Sequence, residues 1–143
     1  MKLKIKRFDK SLPLPVHKTA GAVAVDLCSR VDMEIKAKEI TYIPMNVAIK
    51  IPDGYFILLA ARSSTHKMGL MPINGIGVID RDYCGDNDEY NFLVQNFTDN
   101  TVKVERSTRL CQLLLIKCEN FDFEEVDNME APSRGGFGTT GVK

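Results

Sequence analysis

Nowhere does this sequence set apolar residues at helical spacing over a stretch of ordinary helix length. A helix without that period has no stripe to bury, so a fold layered from amphipathic helices is excluded. The chain offers instead a series of short apolar or alternating segments, parted by turn chemistry about every ten residues. Val47-Ala48-Ile49-Lys50-Ile51 alternates and stops at Pro52-Asp53-Gly54, a strong turn signal. Tyr55 through Ala61 is apolar throughout, as a strand buried on both faces would be. Asn91 to Phe97 reads as a strand, Thr98-Asp99-Asn100 as a turn, Thr101 to Glu105 as an alternating strand, and Leu110 to Ile116 as a second buried strand. The expected fold is all-β, a jelly-roll-like sandwich or barrel with one short helix. Residues 1–133 are expected to form the β domain and 134–143 a flexible Gly-rich arm.

Charge and cysteine usage narrow the function. The 143-residue chain is long enough for one domain with a genuine core, and its formal net charge is zero. With no net positive charge, nothing in the sequence points to a polyanion-binding surface, which argues against nucleic acid as the main partner. The opening Met1–Arg7 segment is basic, but it alternates with Leu3 and Ile5 on one face and has no apolar run behind it. It is expected to be a first strand rather than a signal peptide, and no segment has the length of a membrane span. Leu12-Pro13-Leu14-Pro15 reads as an extended linker. Cys28, Cys84, Cys111 and Cys118 form no CxxC pair, and His17 and His66 stand at no ligand-like spacing from them. Reduced thiols in a cytoplasmic protein are the expectation.

Candidate chemistry gathers in five places. Asn74-Gly75-Ile76-Gly77-Val78-Ile79-Asp80-Arg81-Asp82-Tyr83 has glycines that let a backbone approach a ligand closely, then a β-branched pair, then carboxylates. It reads as a narrow hairpin holding a flat ligand, with Asp80 and Asp82 pointing together; the local pattern does not choose between them. Arg62-Ser63-Ser64 opens a short segment closed by Gly69, expected as one or two helical turns with a serine N-cap and a start suited to an anion. Asp26 lies inside the apolar run Ala22–Leu27, and Gln112 inside a buried strand; each requires polar partners, supplied by a salt bridge, a ligand or a neighbouring subunit. The end of the chain, Ser133 to Gly141, places Arg134 and Phe137 on a glycine-rich tail, more like a closing lid than a plain terminus.

Five of these segments, in order and over nearly the whole chain, resemble the trimeric dUTPase family: Ala24-Val25-Asp26-Leu27, Arg62-Ser63-Ser64, Asn74 to Tyr83, Arg109-Leu110-Cys111-Gln112, and Arg134 to Gly141. The resemblance implies a β-clip fold, a homotrimer with active sites shared between subunits, and hydrolysis of dUTP to dUMP and diphosphate. It implies that Gly77, Val78 and Ile79 bind uracil by backbone groups with help from the Asn74 side chain, and that Tyr83 packs on the deoxyribose. Asp80 would be the general base for the water attacking the α-phosphorus. Arg62, Ser63, Ser64 and Gln112 would hold the phosphates, with Asp26 in the outer shell of a phosphate-bound Mg²⁺. Arg134, Phe137, Gly138 and Thr139 would close over the nucleotide.

The departures are Ala24 and Ser107 where glycine is usual, Cys111 where alanine is, a short spacing from Arg134 to Phe137, and a longer acidic loop after Tyr83. Three other readings compete. A dCTP deaminase of the same fold needs a glutamate three residues before the asparagine matched by Asn96, where this chain has Leu93. A non-catalytic nucleotide-binding trimer would be expected to lack Asp80 or the arm. A serine hydrolase built on Ser63 or Ser64 with His66 has no nucleophile elbow and no third triad member.

Overall fold

A computed structural model describes residues 1–136. Its strands, all paired antiparallel, fall into four sheets. β1 (Lys4–Arg7) pairs with β5 (Val47–Lys50). β2 (Val25–Cys28), β11 (Arg109–Lys117), β6 (Tyr55–Ala61) and β8 (Gly77–Ile79) lie side by side in that order. β4 (Ile40–Pro44), β9 (Asn91–Asn96) and β7 (Leu70–Pro72) form a third sheet, and β3 (Met33–Ile35) pairs with β10 (Val102–Val104). The all-β expectation holds; of its two forms, the sheets do not close into a barrel.

Period-2 alternation turns one side of each sheet to a common core. Leu27, Ile35, Ile43, Ile49, Ile57, Val94, Val104 and Leu113 come from all four sheets and are buried together. Each such side chain stabilises the fold by about 1.5–3 kcal/mol relative to exposure. The β6 run is not buried on both faces as expected: Ile57 and Leu59 are enclosed, whereas Phe56, Leu58 and Ala60 are half-buried on the outer face. Leu114 and Ile116 of β11 stand in register with Leu58 and Phe56, so the outer face of this sheet is also apolar.

Asn96 ties the ends of two sheets together. Completely buried, its amide nitrogen donates to the carbonyls of Ile35, Lys36 and Asn100 at 2.7–3.0 Å, and its oxygen accepts from the Thr98 amide and hydroxyl.

The expected helical segment is a single 3₁₀ turn, Thr65–Met68. Gly69 closes it at φ +77°, where a Cβ would strike the Thr98 methyl, so glycine is required for both conformation and space. The expected serine cap is absent: Ser64 makes no capping bond. Thr65 acts instead, its hydroxyl accepting from the Arg62 amide at 3.0 Å and donating to the Leu110 carbonyl at 2.6 Å. So short a turn has no macrodipole to attract an anion, and any cationic pull here comes from side chains. Beyond β11 the described chain has no strand, and Phe121, Phe123 and Met129 are exposed.

Candidate functional site

The Asn74–Tyr83 stretch is a corner between two sheets, not a self-paired hairpin. β7 before it pairs with β9, whereas β8 pairs with β6. Gly75 at φ +72° provides the reversal, with its amide donating to the Pro72 carbonyl. Gly77 lies opposite Leu59, and a Cβ on it would stand 3.2 Å from the Leu59 Cβ, tighter than ordinary packing. β8 is therefore drawn close to β6 as the edge of its sheet, leaving one row of its backbone groups with no strand partner among the described residues.

That edge borders a cleft of about 480 Å³, within the range of small-ligand pockets. Asn74, Gly77, Val78, Ile79, Asp80 and Tyr83 all line it, facing Tyr42, Tyr90, Asn91 and Leu93. The strand stops at Ile79, and the Tyr83 amide donates to the Asp80 carbonyl at 3.2 Å. Strand alternation therefore does not govern the two carboxylates, and they part: Asp80 lines the cleft, while Asp82 lines only a neighbouring hollow that Asp80 also borders. Arg81 turns away to pair with Asp53 at 2.8 Å. Leu93, at the position a deaminase would need as glutamate, is a hydrocarbon wall of the cleft.

The acidic loop after Tyr83 is pinned to its own chain. Glu89 receives both Arg30 Nε and Nη2, Asp88 accepts from the Gly85 amide, and Asp86 pairs with Lys6. The Tyr83 ring stacks on Tyr90, which is fully buried; burial pushes the Tyr90 phenol well above the ordinary tyrosine range.

A second cluster lies on the outer face of the four-stranded sheet. Asp26 and Gln112 are in register across β2 and β11, with Ala60 of β6 beyond, so their side chains share a face. Asp26 accepts from Arg62 Nε at 3.0 Å and from Arg109 Nη1 at 2.9 Å. Arg62 Nη1 also reaches the Ser64 hydroxyl and the Arg109 carbonyl, and Gln112 donates to the Ala61 carbonyl at 2.9 Å. β11 has a bulge where Arg109 and Cys111 oppose the adjacent Cys28 and Leu27, and the Leu110 carbonyl accepts from the Thr65 hydroxyl and the Arg62 amide. Two guanidiniums on one carboxylate leave a net positive spot, and Arg62 Nη2 has no acceptor among the described residues. Ser63 is exposed at its edge.

The structure thus brings Asn74, Gly77, Val78, Ile79, Asp80 and Tyr83 together, and Asp26, Arg62, Ser64 and Gln112 together. Among the described residues, none of the second group lines the cleft. Arg134 is exposed; Phe137, Gly138 and Thr139 lie outside the described residues. No local signal marks a role for Arg109, Thr65, Arg30 or Glu89, because each acts through a partner distant in the chain or through a bulge with no local signature. All four cysteines are free, and burial raises the thiols of Cys111 and Cys28. The described residues hold no group of three or more His, Cys, Asp or Glu placed to bind a metal, and no helix long and apolar enough to cross a membrane.

The family model described as dUTPase matches residues 10–141. The chain is 36% identical to the SPbeta prophage-derived deoxyuridine 5′-triphosphate nucleotidohydrolase of Bacillus subtilis (strain 168), covering all of both chains. It is 38% identical to the deoxyuridine 5′-triphosphate nucleotidohydrolase of Finegoldia magna over 97% of this chain and 99% of that protein. Among solved structures, the dUTPase of Streptococcus mutans superposes with TM-score 0.77 at 32% identity, over 83% of this chain and 98% of that one. The dUTPase of a Staphylococcus bacteriophage, 80alpha, solved with dUpNHpp, has TM-score 0.85 at 22% identity over 99% of each chain, a likeness of fold.

Proposed function

This chain belongs to the dUTPase family, and from that premise we propose that it hydrolyses dUTP to dUMP and diphosphate by attack of water on the α-phosphorus. The observation that carries the assignment of roles is the cleft itself, where an unpaired sheet edge, an amide side chain, an aromatic ring and one free carboxylate face the same space.

Backbone groups of Gly77, Val78 and Ile79 hydrogen-bond the edge of uracil, and Asn74 adds a side-chain contact. The close packing of Gly77 on Leu59 supports a slot of fixed width. Tyr83 covers the deoxyribose and excludes a 2′-hydroxyl. Asp80 accepts the proton of the attacking water. Arg62, Ser63, Ser64 and Gln112 hold the phosphate chain; the unused Nη2 of Arg62 supports this.

Mg²⁺ is part of the same proposal. Both oxygens of Asp26 are already taken by arginines, and no multidentate protein site exists among the described residues. This donor set fits an ion carried mainly by phosphates and water, with Asp26 meeting its water shell. When bound, the ion supplies neutralisation of phosphate charge.

The separation of base cleft from cationic cluster on one chain supports a homotrimer in which the cluster of one copy completes the cleft of another. The outer sheet face bearing Asp26 and Gln112 among Leu58, Leu114 and Ile116 supports burial against a further copy. Closure of the site by residues 134–143, through Arg134, Phe137, Gly138 and Thr139, belongs to the same proposal on the strength of the family resemblance; all but the first three of these residues lie outside the described residues. The free thiols support a cytoplasmic location.

The test is diphosphate release measured in parallel from dUTP, dTTP, dCTP and UTP, with ammonia release from dCTP followed alongside. Selective release from dUTP is expected, and Asp80→Asn should lower kcat by at least about a thousandfold while leaving nucleotide binding in place. Ammonia from dCTP, or an Asp80→Asn variant of near-normal rate, overturns the assignment.

A further inference from the structure

Resting on that reading of the cleft, we propose that the Arg30–Glu89 ion pair positions Tyr83 and thereby sets how firmly the site rejects a ribonucleotide. Neither Arg30 nor Glu89 lines the cleft; they act through the ring that does.

Glu89 is held on two sides. Arg30 Nε donates to its Oε1 at 2.8 Å and Nη2 to its Oε2 at 2.9 Å, and the Asn46 amide also donates to Oε1 at 2.9 Å. The Glu89 side chain is only 11% exposed. Such a fork fixes orientation as well as distance, which a single-point ammonium does not. The Glu89 backbone carbonyl, held in place by this anchoring, accepts from the Tyr83 hydroxyl at 3.3 Å and from the Asn91 side-chain Nδ2 at 2.9 Å.

The next residue supports the ring face. Tyr90 stacks under Tyr83 with centroids 6.3 Å apart and planes 21° from parallel. Tyr90 cannot shift, because its amide donates to the Val47 carbonyl at 2.8 Å and its hydroxyl to the Ile49 carbonyl at 3.2 Å. Tyr83 is itself 43% exposed and stands on a turn beside an exposed loop. Its tip contact to Glu89 and its face contact to Tyr90 therefore decide where the ring rests. The stacked face allows sliding in its plane; the hydroxyl contact stops it. Steric rejection of one added hydroxyl depends on wall placement to within a fraction of an ångström. A loosened wall admits UTP before it harms dUTP.

The experiment compares kcat/KM for dUTP and UTP in the full-length protein and its variants. Arg30→Met keeps the apolar stem and removes the fork; Arg30→Lys keeps the charge; Tyr83→Ala removes the wall. Arg30→Met is expected to lower the dUTP-to-UTP preference about tenfold, chiefly through better use of UTP, with Arg30→Lys intermediate and Tyr83→Ala at least as large. If Arg30→Met does not fold, Glu89→Gln decides by the same ratio. Loss of activity on both substrates in equal proportion overturns the proposal, since a merely structural pair would act that way. A preference unchanged in Tyr83→Ala instead refutes the sugar-wall reading on which the proposal rests. Absence of dUTP hydrolysis in the unaltered protein refutes the functional assignment beneath both.

Discussion

Replacing Asp26 by asparagine separates two effects of the carboxylate: it holds two arginines in the fold, and under the proposed function it places negative charge beside the phosphates. The structural part follows from the pair geometry, 3.0 Å to Arg62 and 2.9 Å to Arg109, with side-chain exposures of 18% for Asp26, 25% for Arg62 and 47% for Arg109. Neither fully exposed nor fully buried, the two pairs fall between about 0.2–1 kcal/mol each for surface contacts and about 3–5 kcal/mol for breaking a buried one. Asp26→Asn keeps the shape and one acceptor oxygen, so a loss of about 1–3 kcal/mol in folding stability is expected. The binding part has the opposite sign without metal. Removing a unit charge about 6 Å from a phosphate seated on Arg62, at an effective dielectric of about 40, is worth about 1.4 kcal/mol, or about tenfold in affinity. Calorimetric titration with a non-hydrolysable imido analogue of dUTP should show tighter binding to Asp26→Asn in EDTA. Added Mg²⁺ should improve the unaltered protein more than the variant, because only the former offers a carboxylate to the ion's water shell. Equal Mg²⁺-dependent gains in both proteins would refute the metal role of Asp26, and unchanged affinity in EDTA would refute the electrostatic argument.

Two further outcomes test the scaffold. Asn96→Ala strips partners from three backbone carbonyls and from the Thr98 amide and hydroxyl in a fully buried position; urea unfolding should show a loss of about 3 kcal/mol or more, and a loss under about 1 kcal/mol would refute the knot. The Tyr90 phenol is raised by burial, so its contribution is fully present below the ordinary tyrosine pKa of about 10 and is lost as pH rises through the folded value. Phenolate absorbance in an alkaline titration of the protein should therefore show Tyr90 ionising above the ordinary tyrosine range and together with unfolding; early ionisation of Tyr90 in a folded protein would contradict its burial.

Local signals were legible in the sequence and relational ones were not. Val47–Lys50, Tyr55–Ala61, Asn91–Asn96 and Arg109–Lys117 were readable as strands because alternation or an apolar run is a property of the segment itself. Gly69 was readable as a stop because its αL conformation is a local demand. Met33–Ile35 and Leu70–Pro72 are too short to display a period, and Ile40–Pro44 hides its alternation behind exposed Ile40 and Tyr42. The partner of Val78 could not be read at all. A β-branched pair after glycine predicts an extended chain, but only the fold decides that β8 joins β6 while β7 joins β9. The same limit hid Arg30 and Glu89, which are 59 residues apart, and the Leu110 bulge that orients Arg62.

The proposal of Asp80 as general base draws support from which carboxylates near the candidate site are already engaged. A base must offer a lone pair to water, so an oxygen fixed between cationic donors is poorly placed for the task. Asp26 has both oxygens on guanidiniums, Glu89 both on Arg30, and Asp53 one on Arg81. Asp86 is tied to Lys6 and Asp88 to the Gly85 amide. Asp80 and Asp82 alone in this region have no ion pair or side-chain hydrogen bond among the described residues, and Asp80 is the one that faces the cleft. The carbonyl of Asp80 accepts the Tyr83 amide, so one turn links the free carboxylate to the Tyr83 ring. Motif position and local geometry therefore both support the proposal of Asp80: the resemblance points to it, and it is the carboxylate left without an ion pair or side-chain hydrogen bond, among the described residues, that lines the cleft.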